Sequence, residues 1–316
     1  MISEPGFVRK ALGETSAAWN PARLLQIAEA KVPDRILGRR GELLRADINQ
    51  QWAQWFAEGL ADPRRYANLT YVRLFSDVAE AVRQAFQDYT RSEQREIATA
   101  VAEFLNWRTE RFKGERGRAS LDKEQRVLLI DLLNIPRCWI CGAVFREEAI
   151  DNFVNGRRNA VQTPPFVDIF KPIGLYEQDL RIEVDHVHPF SEGGSGDDNL
   201  RLACGWCNRY KSSFLSLYDV DGTPRPAGPN AIGVSSLPQP FWTVRTLAGL
   251  RVCEHPYGCA SSVDFKEMTV APINSCGALN PANLRVTCYE HDPLRPQRLQ
   301  PEAQVRALWR VRKTTD

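Results

Sequence analysis

The stretch "VDHVHPFSEGGSGDDNLRLACGWCNRYK", residues 184–211, brings together residue types that serve different chemistries. An Asp-His pair ends an alternating segment typical of a strand, a Gly-rich loop follows, and Asn-Leu opens a second such segment. That segment ends at a Cys-x2-Cys pair, after which a basic run can begin a helix. This order predicts two strands and a helix. The Cys pair either only stabilises that fold or also adjoins a reaction centre.

The two cysteines of this stretch have counterparts upstream with the same spacing. Cys204 and Cys207 match Cys138 and Cys141, which lie in "RCWICGAVF". Two Cys-x2-Cys pairs supply four thiolates, the ligand set that tetrahedral zinc accepts. Because four protein ligands leave no open coordination position, we predict a structural zinc; the alternative is a set of unrelated buried thiols.

In this order of elements the chain resembles the HNH endonucleases, the ββα-metal nucleases in which two strands and a helix hold one divalent cation. The segments that carry the resemblance are "DHVHPFSEGG", "NL" and "CGWCNRYK". The resemblance covers residues 136–218 and does not extend to the N-terminal half of the chain. It implies metal-dependent hydrolysis of phosphodiester bonds.

The resemblance and the side-chain chemistry together give the motif residues roles. Imidazoles accept protons near neutral pH, so we predict that His186 is the general base. Asp185 offers a carboxylate and Asn208 an amide oxygen, a pair that suits catalytic Mg²⁺ or Mn²⁺. Many family members have a histidine at the third position, so the asparagine leaves the metal preference open. Asn199 is expected to tie the loop together and orient His186.

Basic side chains near the motif are candidates for contact with DNA. Arg209 and Lys211 follow the second Cys pair, and His188 lies in the loop. We predict that they touch phosphates; the alternative is that they are solvated surface residues. The net charge is only +2, so binding to nucleic acid has to come from such a local patch.

A weaker copy of the motif lies near the C-terminus. "PANLRVTCYEHD", residues 281–292, aligns without gaps on "DDNLRLACGWCN", residues 197–208. This copy has "EMTVAPI" where the Asp-His pair would be, so it predicts a second structural zinc without catalysis. Chance similarity is the alternative, and His255 and Cys276 are spare ligand candidates. The predicted ligands are Cys253, Cys259, Cys288 and His291.

The remaining chain predicts the setting of the motif. Before Pro136, apolar residues recur at helical spacing, which we interpret as core-facing stripes. Residues 146–179 form an irregular insert. The first apolar stripe consists of Leu44, Ile48, Trp52, Phe56 and Leu60. We therefore predict an α+β protein with three parts: a helical domain for recognition, assembly or regulation over 1–135, the HNH nuclease domain over 136–218, and a Pro/Gly-rich linker with the second zinc knuckle over 219–316.

Composition limits the class of protein. With 43% hydrophobic and 25% charged residues the chain is typical of folded globular proteins. No apolar run reaches the roughly 20 residues of a membrane helix. We find no export signal, so we expect a cytoplasmic protein that does not bind membranes and whose cysteines hold zinc rather than form disulfides.

The sequence thus predicts a metal-dependent DNA endonuclease that serves restriction or anti-phage defence. Protein partners of a defence system and a homo-oligomeric state are compatible with this prediction. Two alternatives stay open: a zinc-stabilised nucleic-acid-binding protein without turnover, and an RNase.

Overall fold

The computed structural model describes residues 37–109, 112–113, 121–187, 199–228 and 233–310, together with the single residues Val8 and Ala28. Helices dominate the first part, and small two-stranded antiparallel sheets alternate with helices in the rest. The predicted α+β class is therefore confirmed. The helices are α1 (Arg39–Leu60), α2 (Tyr71–Ala85), α3 (Arg91–Thr109), α4 (Lys123–Asp131), α5 (Glu147–Asn155), α6 (Gly205–Lys211), α7 (Pro240–Leu250), α8 (Arg295–Arg298) and α9 (Glu302–Arg310). The strands are β1 (Phe166–Asp168), β2 (Ile182–His186), β3 (Leu200–Cys204), β4 (Arg225–Pro226), β5 (Ser236–Leu237), β6 (Met268–Pro272), β7 (Leu284–Cys288) and β8 (Leu299–Pro301).

The N-terminal helices α1, α2 and α3 share a hydrophobic core of their own, in which Val78, Val82 and Leu105 are fully buried. A capping box starts α3. The main-chain N of Thr90 donates to Glu93 Oε2 at 2.8 Å, and Glu93 N donates to Thr90 Oγ1 at 3.3 Å. These reciprocal bonds satisfy two main-chain donors that the first turn of a helix leaves unpaired.

The buried face of α1 differs from the predicted one. Trp52 and Phe56 are 64% and 43% exposed, whereas Leu43 and Asp47 are buried. Asp47 accepts a hydrogen bond from Leu217 N at 2.7 Å, and Arg245 Nη2 donates to its Oδ1 at 2.6 Å. The predicted stripe is therefore correct only in part: Leu44 and Leu60 pack against the hydrophobic clusters, whereas its two aromatic members are exposed.

The two strands and the helix predicted for residues 184–211 are present. In the β2–β3 hairpin, Ile182 lies opposite Cys204 and His186 opposite Leu200, and α6 begins directly after β3. Gly205 has to be glycine at this junction, since a Cβ there would lie 2.0 Å from the carbonyl oxygen of Gln178. The missing side chain lets α6 pack against the 3-10 turn Glu177–Leu180.

The β6–β7 hairpin repeats the register of β2–β3. Met268 lies opposite Cys288 and Pro272 opposite Leu284, so Ala271 and Pro272 occupy the positions of Asp185 and His186. The upstream segments dock in the same way. Trp139 N donates to Leu202 O, and Glu254 N donates to Val286 O, both at 2.9 Å. The short sequence similarity between the two motifs thus corresponds to equivalent hairpins.

A buried ionic cluster fastens the C-terminal segment to the second hairpin. Arg298 is fully buried, and its guanidinium donates to Asp168 at 3.0 Å, to Asp292 at 2.5 Å and to Thr269 Oγ1 at 2.6 Å. Burial alone would raise the pKa of Asp168, but the charge and hydrogen bond of Arg298, together with the charge of Lys171 and the main-chain hydrogen bond from Phe170, lower it. The cluster joins β1, β6 and the segment before β8.

Replacing Arg298 with methionine is therefore expected to lower the free energy of unfolding by about 3–5 kcal/mol, since two buried carboxylates lose their cation. Denaturant unfolding followed by circular dichroism measures the change. Arg83→Met is the matched control, because Arg83 pairs with Glu80 on the exposed surface of α2. An equal effect of the two substitutions would contradict a stabilising role for the cluster.

A single hydrophobic cluster contains residues of both hairpins and of α9, among them Leu202, Val270 and Val305. The division into residues 1–135, 136–218 and 219–316 stays a prediction. No helix in the described part of the chain combines the length and the apolar character that crossing a membrane requires.

Candidate active site and metal centres

Two polar contacts connect β2 to α6 beside the Asp-His pair. Glu183 and Asp185 are two residues apart and share a strand face, while Asn208 and Lys211 are three apart and share a helix face. The amide nitrogen of Asn208 donates to Glu183 Oε2, and Lys211 Nζ donates to Asp185 Oδ1 at 2.9 Å. The predicted metal ligands Asp185 and Asn208 therefore lie on facing elements, in neighbouring contacts.

Asp185 is only 5% exposed, and both of its carboxylate oxygens accept hydrogen bonds. Trp139 Nε1 donates to Oδ2 at 2.9 Å, while Lys211 holds Oδ1. The Lys211 ammonium also donates to the main-chain oxygen of His186 at 2.5 Å, and the whole residue is 7% exposed. The negative charge of Asp185 is thus neutralised in a site largely shielded from water.

His186 follows Asp185 in β2, so its side chain lies on the opposite face of the strand. It is half-buried. The main-chain N of Val187 donates to Asn199 O at 2.9 Å, which extends the pairing of β2 and β3 by one step and places Asn199 next to this end of the hairpin. His188 and the loop 189–198 lie outside the described residues.

Of the two basic residues of α6, Lys211 is buried, which differs from the alternative of a solvated helix face, whereas Arg209 is exposed and paired with an acidic residue. Arg209 is bonded to the buried Asp179. Burial would lower the pKa of Arg209, but the hydrogen bond and charge of Asp179 raise it. Contact of Arg209 with phosphate stays a prediction. For Lys211 the bonds to Asp185 and His186 favour a role inside the site.

Comparison with known proteins supports the interpretation of this region. Residues 175–214 match the family model described as HNH endonuclease. The chain carries an HNH domain. Comparison with curated proteins and with solved structures finds no match. The HNH domain points to a nuclease that binds nucleic acid and uses a metal ion.

Two polar contacts of the HNH domain were missed by the sequence analysis. Glu183 lies two residues before Asp185 and therefore on the same face of the strand, so the alternation of the strand could have identified it as a residue of the site. Trp139 carries no such signal, because it comes from the first Cys pair, 46 residues before Asp185. Only the folded chain brings its indole to the carboxylate.

Four cysteines beside the HNH hairpin form a group that can hold a metal ion. The sulfur atoms of Cys138, Cys141, Cys204 and Cys207 lie within 4.8 Å of one another, and all four residues are buried. Burial raises the pKa of Cys207, while hydrogen bonds from the other three thiols outweigh burial and lower the pKa of Cys138. Because a divalent cation would replace the protons that these thiols share, the donor set fits the predicted structural zinc.

The second predicted group also comes together, with Cys253, Cys259, Cys288 and His291 contributing ligand atoms within 4.8 Å of one another. His291 Nδ1 lies 3.7 Å from Cys253 Sγ and 3.4 Å from Cys288 Sγ. The two spare candidates are not part of this group. The ring of His255 stacks on that of His291 at 3.9 Å between centroids, and Cys276 is exposed.

We expect two zinc ions per chain, and Cys288→Ser should reduce this number to one. Because Ala271 and Pro272 replace the Asp-His pair in the second hairpin, the folded fraction of this variant should keep its cleavage rate on saturating DNA. Metal analysis of the purified protein measures the zinc content. One zinc in the wild type, unchanged in Cys288→Ser, would show that the second group does not bind metal.

Proposed function

We propose that the protein is a metal-dependent DNA endonuclease that acts in restriction or anti-phage defence. The observation that carries the proposal is the arrangement of three motif residues. Asp185 and Asn208 lie on the facing elements β2 and α6, and His186 is the next residue on the same strand. These residues lie within the HNH match of 175–214.

The proposed reaction is hydrolysis of a phosphodiester bond. His186 accepts a proton from a water molecule at its imidazole while the water oxygen attacks phosphorus. The bond between phosphorus and the 3′ oxygen breaks, and the 3′ oxygen takes up a proton. Asn199 supports the end of the hairpin from which His186 acts, through its main-chain oxygen on Val187 N.

The residues around Asp185 fit a bound Mg²⁺ or Mn²⁺. The carboxylate already faces a cation, the Lys211 ammonium. Asn208 uses its amide nitrogen on Glu183, which leaves its amide oxygen as the metal-binding atom. When bound, the divalent cation would stabilise the negative charge of the phosphate and of the leaving oxygen.

DNA as the substrate and a role in defence are more specific proposals than nuclease activity itself. They rest on the family resemblance and on a nuclease domain joined to a helical region without a catalytic motif. The same combination supports our proposals that the helical region binds a target or protein partners, and that the chain forms homo-oligomers.

We expect the purified protein to nick plasmid DNA in Mg²⁺ or Mn²⁺ but not in chelator or Ca²⁺. Asp185→Ala and Asn208→Ala should abolish nicking, since each removes a ligand of the cation. Plasmid DNA and RNA are offered side by side, and zinc content is measured after chelation to confirm that the structural metal stays.

The outcomes separate the proposed function from its alternatives. Full cleavage in metal-free buffer would contradict the proposed metal site. Binding of DNA without cleavage in any of the metals would favour the non-catalytic binding protein. Preferential cleavage of RNA would favour the RNase.

A further inference from the structure

The two side chains that donate hydrogen bonds to Asp185, those of Trp139 and Lys211, differ in charge and in conformational flexibility. The indole of Trp139 is neutral, and the main chain of this residue is fixed by two hydrogen bonds. Its main-chain N donates to Leu202 O at 2.9 Å, and its main-chain O accepts from Arg251 Nη1 at 3.2 Å. Lys211 is the last residue of α6 and reaches Asp185 through a flexible four-carbon chain. The position of the indole is therefore fixed by its main chain, whereas the ammonium is held only at the end of a flexible side chain, by its hydrogen bonds to Asp185 and to the main-chain oxygen of His186.

We propose that the Lys211 ammonium holds the place of the divalent cation on Asp185 and is displaced when that cation binds. This inference deepens the proposed function and rests on its metal site. The ammonium lies 2.9 Å from Oδ1, in a pocket where both residues are almost fully buried.

Burial explains why a placeholder is needed. A carboxylate removed from water is costly unless a positive charge and hydrogen bonds compensate it. Asp185 is buried within the ββα unit, so it needs a cation before the metal arrives as well as afterwards. Lys211 supplies that charge within the chain and keeps the site folded without metal.

Electrostatics explains why the ammonium has to leave. Two cations beside one carboxylate oxygen repel each other, and the repulsion is strong where water is scarce. On displacement, the side chain of Lys211 would extend outward from the end of α6, toward the phosphate of a bound nucleic acid. In that state Lys211 would make the phosphate contact predicted from the sequence, instead of its hydrogen bond to Asp185.

Trp139 holds the other oxygen of the Asp185 carboxylate in place. Its indole N–H carries no charge, so it does not compete with a metal, and it holds Asp185 Oδ2 while the partner on Oδ1 changes. Trp139 lies between Cys138 and Cys141 of the first Cys group. That group would therefore position the carboxylate through the indole.

The test measures binding of Mn²⁺ to the full-length, zinc-loaded protein by electron paramagnetic resonance, without nucleic acid. Lys211→Met and Lys211→Gln should bind Mn²⁺ about tenfold more tightly than wild type, because the competing charge is gone. Trp139→Phe should bind it several-fold more weakly. Lys123→Met, which removes an exposed lysine of α4, is the matched control and should leave the affinity unchanged.

The opposite effects of the Lys211 and Trp139 variants on the affinity for Mn²⁺ distinguish this proposal from a purely structural role. In a structural role, both kinds of variant would weaken the binding of Mn²⁺. Thermal unfolding gives a second measurement: added Mn²⁺ should raise the melting temperature of Lys211→Met more than that of wild type. Unchanged or weaker binding in both Lys211 variants overturns the inference alone. Equal Mn²⁺ binding by wild type and Asp185→Ala overturns the proposed metal site and the inference with it.

Discussion

His186→Ala should lower the rate of DNA cleavage by about 10²–10⁴-fold and leave thermal unfolding close to that of wild type. The magnitude is that of proton transfer by a positioned general base. The small effect on stability is expected because His186 is half-buried at the end of β2, on the strand face opposite the buried Asp185. Lys211 binds the main-chain oxygen of His186, which alanine retains.

Single-turnover nicking of plasmid DNA at saturating protein measures the chemical step in this variant. Added imidazole should partly restore nicking by His186→Ala, since it can accept the proton that the side chain no longer takes. Binding of DNA in chelator should match that of wild type. A loss of melting temperature as large as that of a buried-residue substitution would show instead that His186 is structural.

The sequence predicted the ββα unit because its signals are local. Alternation marks β2 and β3, and Cys-x2-Cys marks the start of α6. The buried face of α1 was predicted only in part, because helical periodicity does not reveal that Asp47 pairs with Arg245, 198 residues away. Helix α5 was not predicted within the irregular insert.

The candidate site shows the same division between local and distant information. Both groups of candidate metal ligands were predicted, since zinc sites impose short spacings that are visible along the chain. The surroundings of Asp185 were not, because Trp139, Asp185 and Lys211 belong to three separate segments. Lys211 was predicted to face phosphate because the sequence alone does not tell which side of a short helix packs inward.

Cys204→Ser should damage folding more than any substitution at Asp185, His186 or Asn208. Binding of structural zinc supplies about 10–16 kcal/mol of apparent free energy in small zinc peptides, and this energy is coupled to folding. Cys204 is buried, ends β3 and immediately precedes α6. Losing the metal would therefore release the junction that places Asn208 and Lys211 opposite β2.

Zinc content, solubility and thermal unfolding of Cys204→Ser measure this effect, and Cys276→Ser is the matched control, because Cys276 is exposed and lies outside both ligand groups. The control should keep two zinc ions and the wild-type melting temperature. Cys204→Ser should lose one zinc and unfold, so its loss of cleavage comes with a loss of structure, unlike that of His186→Ala. A soluble Cys204→Ser protein with unchanged zinc content and melting temperature would show that this thiolate is not a ligand.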